Sequence, residues 1–200
     1  MAERLSEQGL VLHTVRVLGF ADAARVAARL GLSGTTVDDH LLDAQAFGWV
    51  SRSAFSDVAG WSVTEAGKAV AERLVAAELD ASGARDEIAE AYRAGFLPLN
   101  HDVAVACSAW QLTELGIGDE PKTLAQIVDA LSGPADALAV LESLLAVHLP
   151  RLAGYHGRFA AALRLAPDDP SWINGTDRDS CHRTWFELHE DLIGTLGLAR

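Results

Sequence analysis

Between Gly31 and Arg52 the chain reads GLSGTTVDDHLLDAQAFGWVSR, and no other stretch constrains the fold as much. Gly31 stops one helix, because glycine enters the left-handed conformation at a helix C-terminus without steric cost. Ser33 or Thr35 then offers a hydroxyl to cap the next helix. Val37, Leu41, Ala44 and Phe47 recur at helical spacing and are expected to face inward. Gly48 ends that helix, and Trp49-Val50 opens a strand.

The flanking sequence extends this pattern. Residues 5–18 place Leu10, Leu12, Val15 and Leu18 on one side of a helix. Asp22 to Leu30 forms a short second helix with Ala23, Val26, Ala27 and Leu30 inside. After Gly48, WVSRSAF and GWSVT predict two short strands around a loop from about Ser56 to Gly60. Thr64 caps a long helix that runs to about Leu79. Helix, helix, turn, helix, two-stranded wing, helix is the layout of a winged helix-turn-helix. Leu30, Gly31, Leu32, Ser33, Thr36, Val37, Leu41, Gly48, Val50, Thr64 and Gly67 also fall where regulators of the multiple-antibiotic-resistance (MarR) type carry those residues. Over roughly residues 10 to 78 the chain resembles that family. The resemblance implies a third helix that lies in the major groove of DNA and a homodimer formed through helices flanking the winged domain. Its DNA-facing positions would be Thr35, Asp38, Asp39, His40 and Asp43 on the helix, with Arg52 at the base of the wing.

Those residues argue against the function that the layout suggests. DNA binding draws its affinity from cations that neutralise phosphates. Here Asp38, Asp39 and Asp43 form an acidic stripe, and from Ser53 to Thr64 the wing has Asp57 and no Lys or Arg. Residues 1–80 hold seven basic and eleven acidic side chains, a net of −4, and the whole chain carries −12. An acidic surface disfavours nucleic acid and anionic membrane alike. Arg16, Arg25, Arg29 and Arg52 are the cations that a dimer could still bring around a duplex.

The second half reads as an all-helical domain, residues 84–200, joined at Ser82-Gly83 to a winged domain, residues 1–80. Ser82 is expected to cap a helix from Arg85 to Phe96, LPLN to break it, and Asn100 to cap HDVAVACSAWQL. Lys122 to Leu131 predicts a short helix, and Pro134 opens a longer one with Leu138, Leu141, Leu144 and Leu145 at helical spacing. Pro150 bends or restarts the chain into RLAGYHGRFAAALRLA; PDDPSWINGTDRD is a loop, and the last helix runs from Ser180 to Gly197. The final segment, with FLPLN…WQL, resembles a helical domain that follows winged helices in some actinobacterial regulator-like proteins; that resemblance implies neither a reaction nor a ligand.

Chemistry-bearing residues cluster in DRDSCHRTWFELHEDL. His182 and His189 lie two helical turns apart on one side, and His101 could join them in a metal or acid–base site. No His-Glu-x-x-His pattern supports that, so the chain reads as a non-enzyme without metal or cofactor. Cys181 beside His182 at a helix start could be an activated thiol, whereas Cys107 among Val103, Val105 and Ala106 is expected to be inert core. The Glu190-Asp191 pair is expected to be solvated. Asn100, His101, Trp110, Gln111, His182, Trp185 and His189 could instead line a pocket for a small organic effector. The cysteines have no Cys-x-x-Cys spacing, the N-terminus lacks a signal-peptide layout, and no uncharged run reaches about 20 residues, so a cytoplasmic chain with no membrane contact is expected.

The sequence therefore predicts a mainly α protein: a winged helix-turn-helix with a two-stranded wing, plus a helical C-terminal domain. Its expected role is that of a regulatory or accessory protein whose winged helix has weakened or lost DNA binding. It would act through protein contacts, with an effector in the helical half. The alternative is a dimeric, sequence-specific transcriptional regulator; an enzyme built on His182 and His189 is a distant third.

Overall fold

The structure, a computed structural model, describes residues 5–55, 58–117 and 120–198. It is mainly helical, with one two-stranded antiparallel sheet. Two compact units divide at Gly83: the first comprises the chain through Gly83 together with the segment from Ile193 on, and the second comprises Ala84–Leu192.

In the first unit, α1 (Glu7–Leu18), α2 (Ala23–Leu30) and α3 (Gly34–Ala46) precede β1 (Val50–Phe55), β2 (Val58–Val63) and α4 (Glu65–Ser82). The caps are local and explicit. Asp22 accepts from Arg25 N at 2.7 Å, Ser33 from Thr36 N at 3.1 Å, and Gly31 closes α2 at φ 66°. Ser33 is thus the cap of α3. Val11, Leu12, Val15, Val26, Val37 and Leu41 are fully buried and form the core between the first three helices. The hairpin pairs Val50 with Val63 and Arg52 with Trp61, and Ala21 adds one antiparallel bridge to Trp61. Phe47 departs from expectation: it is 63% exposed and stacks on Trp49 at 4.7 Å, because it follows the last turn of α3 rather than lying inside it. The hairpin tip, Ser56 and Asp57, lies outside the described residues.

The Thr64–Gly67 pair locks α4 to the hairpin. Thr64 Oγ1 accepts from Gly67 N at 3.0 Å and donates to Gly48 O at 2.7 Å. Thr64 N also donates to Trp49 O at 2.9 Å. Gly67 then passes so close to that carbonyl that a Cβ would lie 1.8 Å from Trp49 O. Only glycine permits this approach.

The second unit contains α5 (Arg85–Glu90), a π-helical turn (Ala91–Phe96), α6 (Leu97–Glu114), α7 (Leu124–His148), a 3-10 turn (Pro150–Leu152), α8 (Tyr155–Leu165), α9 (Ser171–Asn174) and most of α10 (Cys181–Leu196). Five expectations are corrected here. Ser82 does not cap α5; it ends α4 and donates to Leu79 O. The chain does not break at LPLN. Pro98 has no N–H to donate one turn back, and the helix absorbs this with a π turn in which Leu97 N reaches Tyr92 O. Asn100 therefore sits inside α6 and caps nothing. Likewise α7 is one helix, with Pro134 buried in its interior, started by a capping box between Thr123 and Gln126. Part of the expected loop after α8 is helical, as α9.

Among the described residues, α7 alone has the length and composition to cross a membrane, with a mean hydropathy of 1.4 over its most apolar window. It packs against α6 and α8; Leu131, Leu138, Leu141 and Leu145 are buried, while Val140 and Val147 remain exposed.

Candidate functional site

Two places collect the residues singled out by sequence. On the first unit, Thr35, Asp38, Asp39 and Asp43 are exposed on α3, and Leu42 joins them at 56% exposure. His40 turns away to the flank, where its Nε2 lies 3.6 Å from Glu7 Oε2 of α1. Arg52 is exposed on β1, with its guanidinium 5.7 Å above the Trp61 ring. A shallow cleft runs between Asp22, Asp38, Leu42, Arg52 and Trp61. Of the cations that could have served a duplex, Arg16 is withdrawn: its side chain is 7% exposed and pairs with Glu72 at 3.3 Å. Arg25 and Arg29 are half-buried on α2. This leaves α3 with an exposed side made of carboxylates, Leu42 and Ala46, followed by the exposed ring of Phe47.

On the second unit, α6 and α10 border an open cleft of about 230 Å³, and Ala104, Ser108, Gln111, His182 and Phe186 of its lining are exposed. Its lining follows helical spacing. Asn100, Val103, Ala104, Cys107, Ser108 and Gln111 come from one stripe of α6, and His182, Trp185, Phe186 and His189 from one stripe of α10. Asn174 and Thr176, at and after the end of α9, close it. Five of the seven residues expected here do line it. His101 and Trp110 do not, since each lies one residue off the stripe and so about 100° around the helix. Val103, Ala104, Ser108 and Phe186 could have been found by extending the stripe from Asn100 and Gln111; Asn174 and Thr176 had no signal in sequence.

The wall behind the cavity is braced by aromatic packing. Trp185 Nε1 donates to Asn100 Oδ1 at 2.9 Å. Phe96, from the π turn, stacks on Trp185 with centroids 5.2 Å apart and lies 5.1 Å from the His189 ring. The Tyr92 hydroxyl, also on the π turn, is hydrogen-bonded to His189 Nε2 at 3.2 Å. The π turn forced by Pro98 thus supplies the support for two lining residues. Partial burial lowers the pKa of the His182 imidazole from its usual value, which favours the neutral ring.

No group of three His, Cys, Asp or Glu among the described residues is placed to hold a metal. Cys181 is fully buried, and burial raises its thiol pKa well above the ordinary value, so it is no activated nucleophile. Cys107 is pushed up to about 12 by the same cause. Glu190 and Asp191 are not a solvated pair: they are 9% and 3% exposed. Asp191 accepts from Arg151 and from Tyr155 Oη, the latter at 2.9 Å. One turn earlier, the buried Glu187 is held by Arg158 at 2.8 Å and Arg183 at 3.3 Å. This ion-pair network fixes α10 against α8 and the turn before it.

No protein-family model, curated protein or solved structure matches the chain.

Proposed function

We propose that the first unit is a winged helix-turn-helix of the MarR regulator type whose third helix meets a basic protein surface instead of DNA. The protein would act in the cytoplasm as a dimeric regulatory or accessory factor. The observation that carries this is the exposed side of α3: Asp38, Asp39 and Asp43 beside Leu42, with no cation on the helix. A phosphate backbone approaching that side meets like charge. A protein surface bearing Lys or Arg around an apolar spot meets both opposite charge and a place to bury Leu42. The order of elements and the Thr64–Gly67 lock support the winged-helix assignment.

The test immobilises the full chain, an Asp39→Lys variant and an Asp102→Lys control exposed on α6. A protein retained by the parent and the control, but lost by Asp39→Lys, is the expected result. Equal retention by all three overturns the reading. The second reading, a sequence-specific DNA-binding regulator, draws on the exposed Arg52 of the hairpin. It requires that Arg52→Ala weaken operator binding and reduce its salt dependence.

A further inference from the structure

The cavity between α6 and α10 is built for a ligand without charge. Its twelve lining residues include no Asp, Glu, Lys or Arg, in a chain that is 22% charged. A carboxylate or ammonium seated there would lose part of its water and meet no counter-charge among the lining side chains, which disfavours it against a neutral ligand of the same shape. The polar groups present are amides, hydroxyls and imidazoles. Among the described residues, Asn100 Nδ2, Ser108, Gln111 and His182 have no protein hydrogen-bond partner, although Asn100 Oδ1 is already taken by Trp185. That leaves both donors and acceptors open around an apolar wall of Val103, Trp185 and Phe186. The volume of about 230 Å³ exceeds the roughly 150 Å³ that admits a single benzene ring.

We infer that this cavity binds a small, uncharged, planar molecule of one or two rings that carries a carboxamide or ring-amide group. An amide presents a donor and an acceptor side by side, which matches the mixed set on the stripes of α6 and α10. The inference concerns the second unit alone and does not depend on what α3 contacts.

The experiment is a ligand-observed NMR titration of the full chain with three probes of nearly equal size: benzamide, benzoate and benzylamine. They share a ring and differ in charge. Benzamide is expected to bind with a Kd below about 10 mM, the weakest affinity that a ligand of its size reaches at ordinary efficiency. Benzoate and benzylamine are expected to bind at least tenfold more weakly. Ala104→Phe, which fills the cavity from an exposed wall position, is expected to weaken benzamide at least tenfold while the circular dichroism stays that of the parent. Should that variant fail to fold, Ser108→Leu fills the same space from one turn on. No benzamide binding at about 10 mM, binding of either charged probe as tight as benzamide, or full benzamide binding by a folded filled-cavity variant each overturns the inference.

Discussion

Gly67→Ala separates what helix propensity dictates from what this structure dictates. By propensity, replacing glycine with alanine inside a helix gains up to about 1 kcal/mol. In the structure the new Cβ would lie 1.8 Å from Trp49 O, where an ordinary contact needs more than 3 Å. The obstacle is backbone, so no side-chain rotation relieves it, and α4 must withdraw from the hairpin by more than 1 Å. Overpacking of this kind costs about 1–3 kcal/mol. Withdrawal also lengthens the Thr64 bonds to Gly48 O and Trp49 O, now 2.7 and 2.9 Å, at about 1 kcal/mol or more between them. Set against the propensity gain, the net loss is about 1–3 kcal/mol. Amide hydrogen exchange read peptide by peptide across α1 to α4 is the right assay, because two compact units need not unfold together. A loss of that size speeds globally protected amides of the first unit by roughly 5- to 140-fold. The control is Gly34→Ala at the start of α3, where a Cβ meets nothing within 4 Å; it should leave exchange unchanged or slower. If Gly67→Ala exchanges as slowly as the parent, the account of how α4 is seated on the hairpin is wrong.

Other expectations follow from buried polar groups. Arg151→Met leaves the Asp191 carboxylate buried without its cation and should destabilise the second unit by about 3–5 kcal/mol, measured by urea unfolding. In the native protein neither thiol should react with a disulfide reagent at pH 8, and both should react on unfolding, because burial raises both pKa values. The same shifts set a sign with pH. The unfolded chain loses its thiol protons near pH 9 while the folded chain keeps them, so stability should fall as pH rises from about 9 toward 12.

The first unit was legible because its signals are local. Asp22, Ser33 and Thr64 cap helices within a few residues of themselves, and Gly31 and Gly48 mark stops by their backbone alone. The second unit was less so, because packing overrode local cost. Pro98 and Pro134 each signal a helix break at about 3 kcal/mol, yet buried contacts of α6 and α7 keep both helices running. The π turn that accommodates Pro98 has no sequence signature, although it places Phe96 and Tyr92 behind the cavity. The same limit applies to charge. Asp191 looks like a surface residue until Arg151 and Tyr155, some forty residues earlier, are brought beside it. On α3 the acidic character was evident from sequence, but the withdrawal of Arg16 onto Glu72 needed α1 and α4 in place.

The central claim is that α3 does not face DNA, and a DNA titration tests it most directly. Labelled duplex from the intergenic region beside the protein's own gene, with random duplex as control, is titrated with the full chain at about 50 and 200 mM salt. The account predicts no binding at either salt, because Asp38, Asp39 and Asp43 occupy the side where phosphates would be neutralised. Specific binding that is tight at low salt and weakens as salt rises would contradict it and restore the transcriptional regulator.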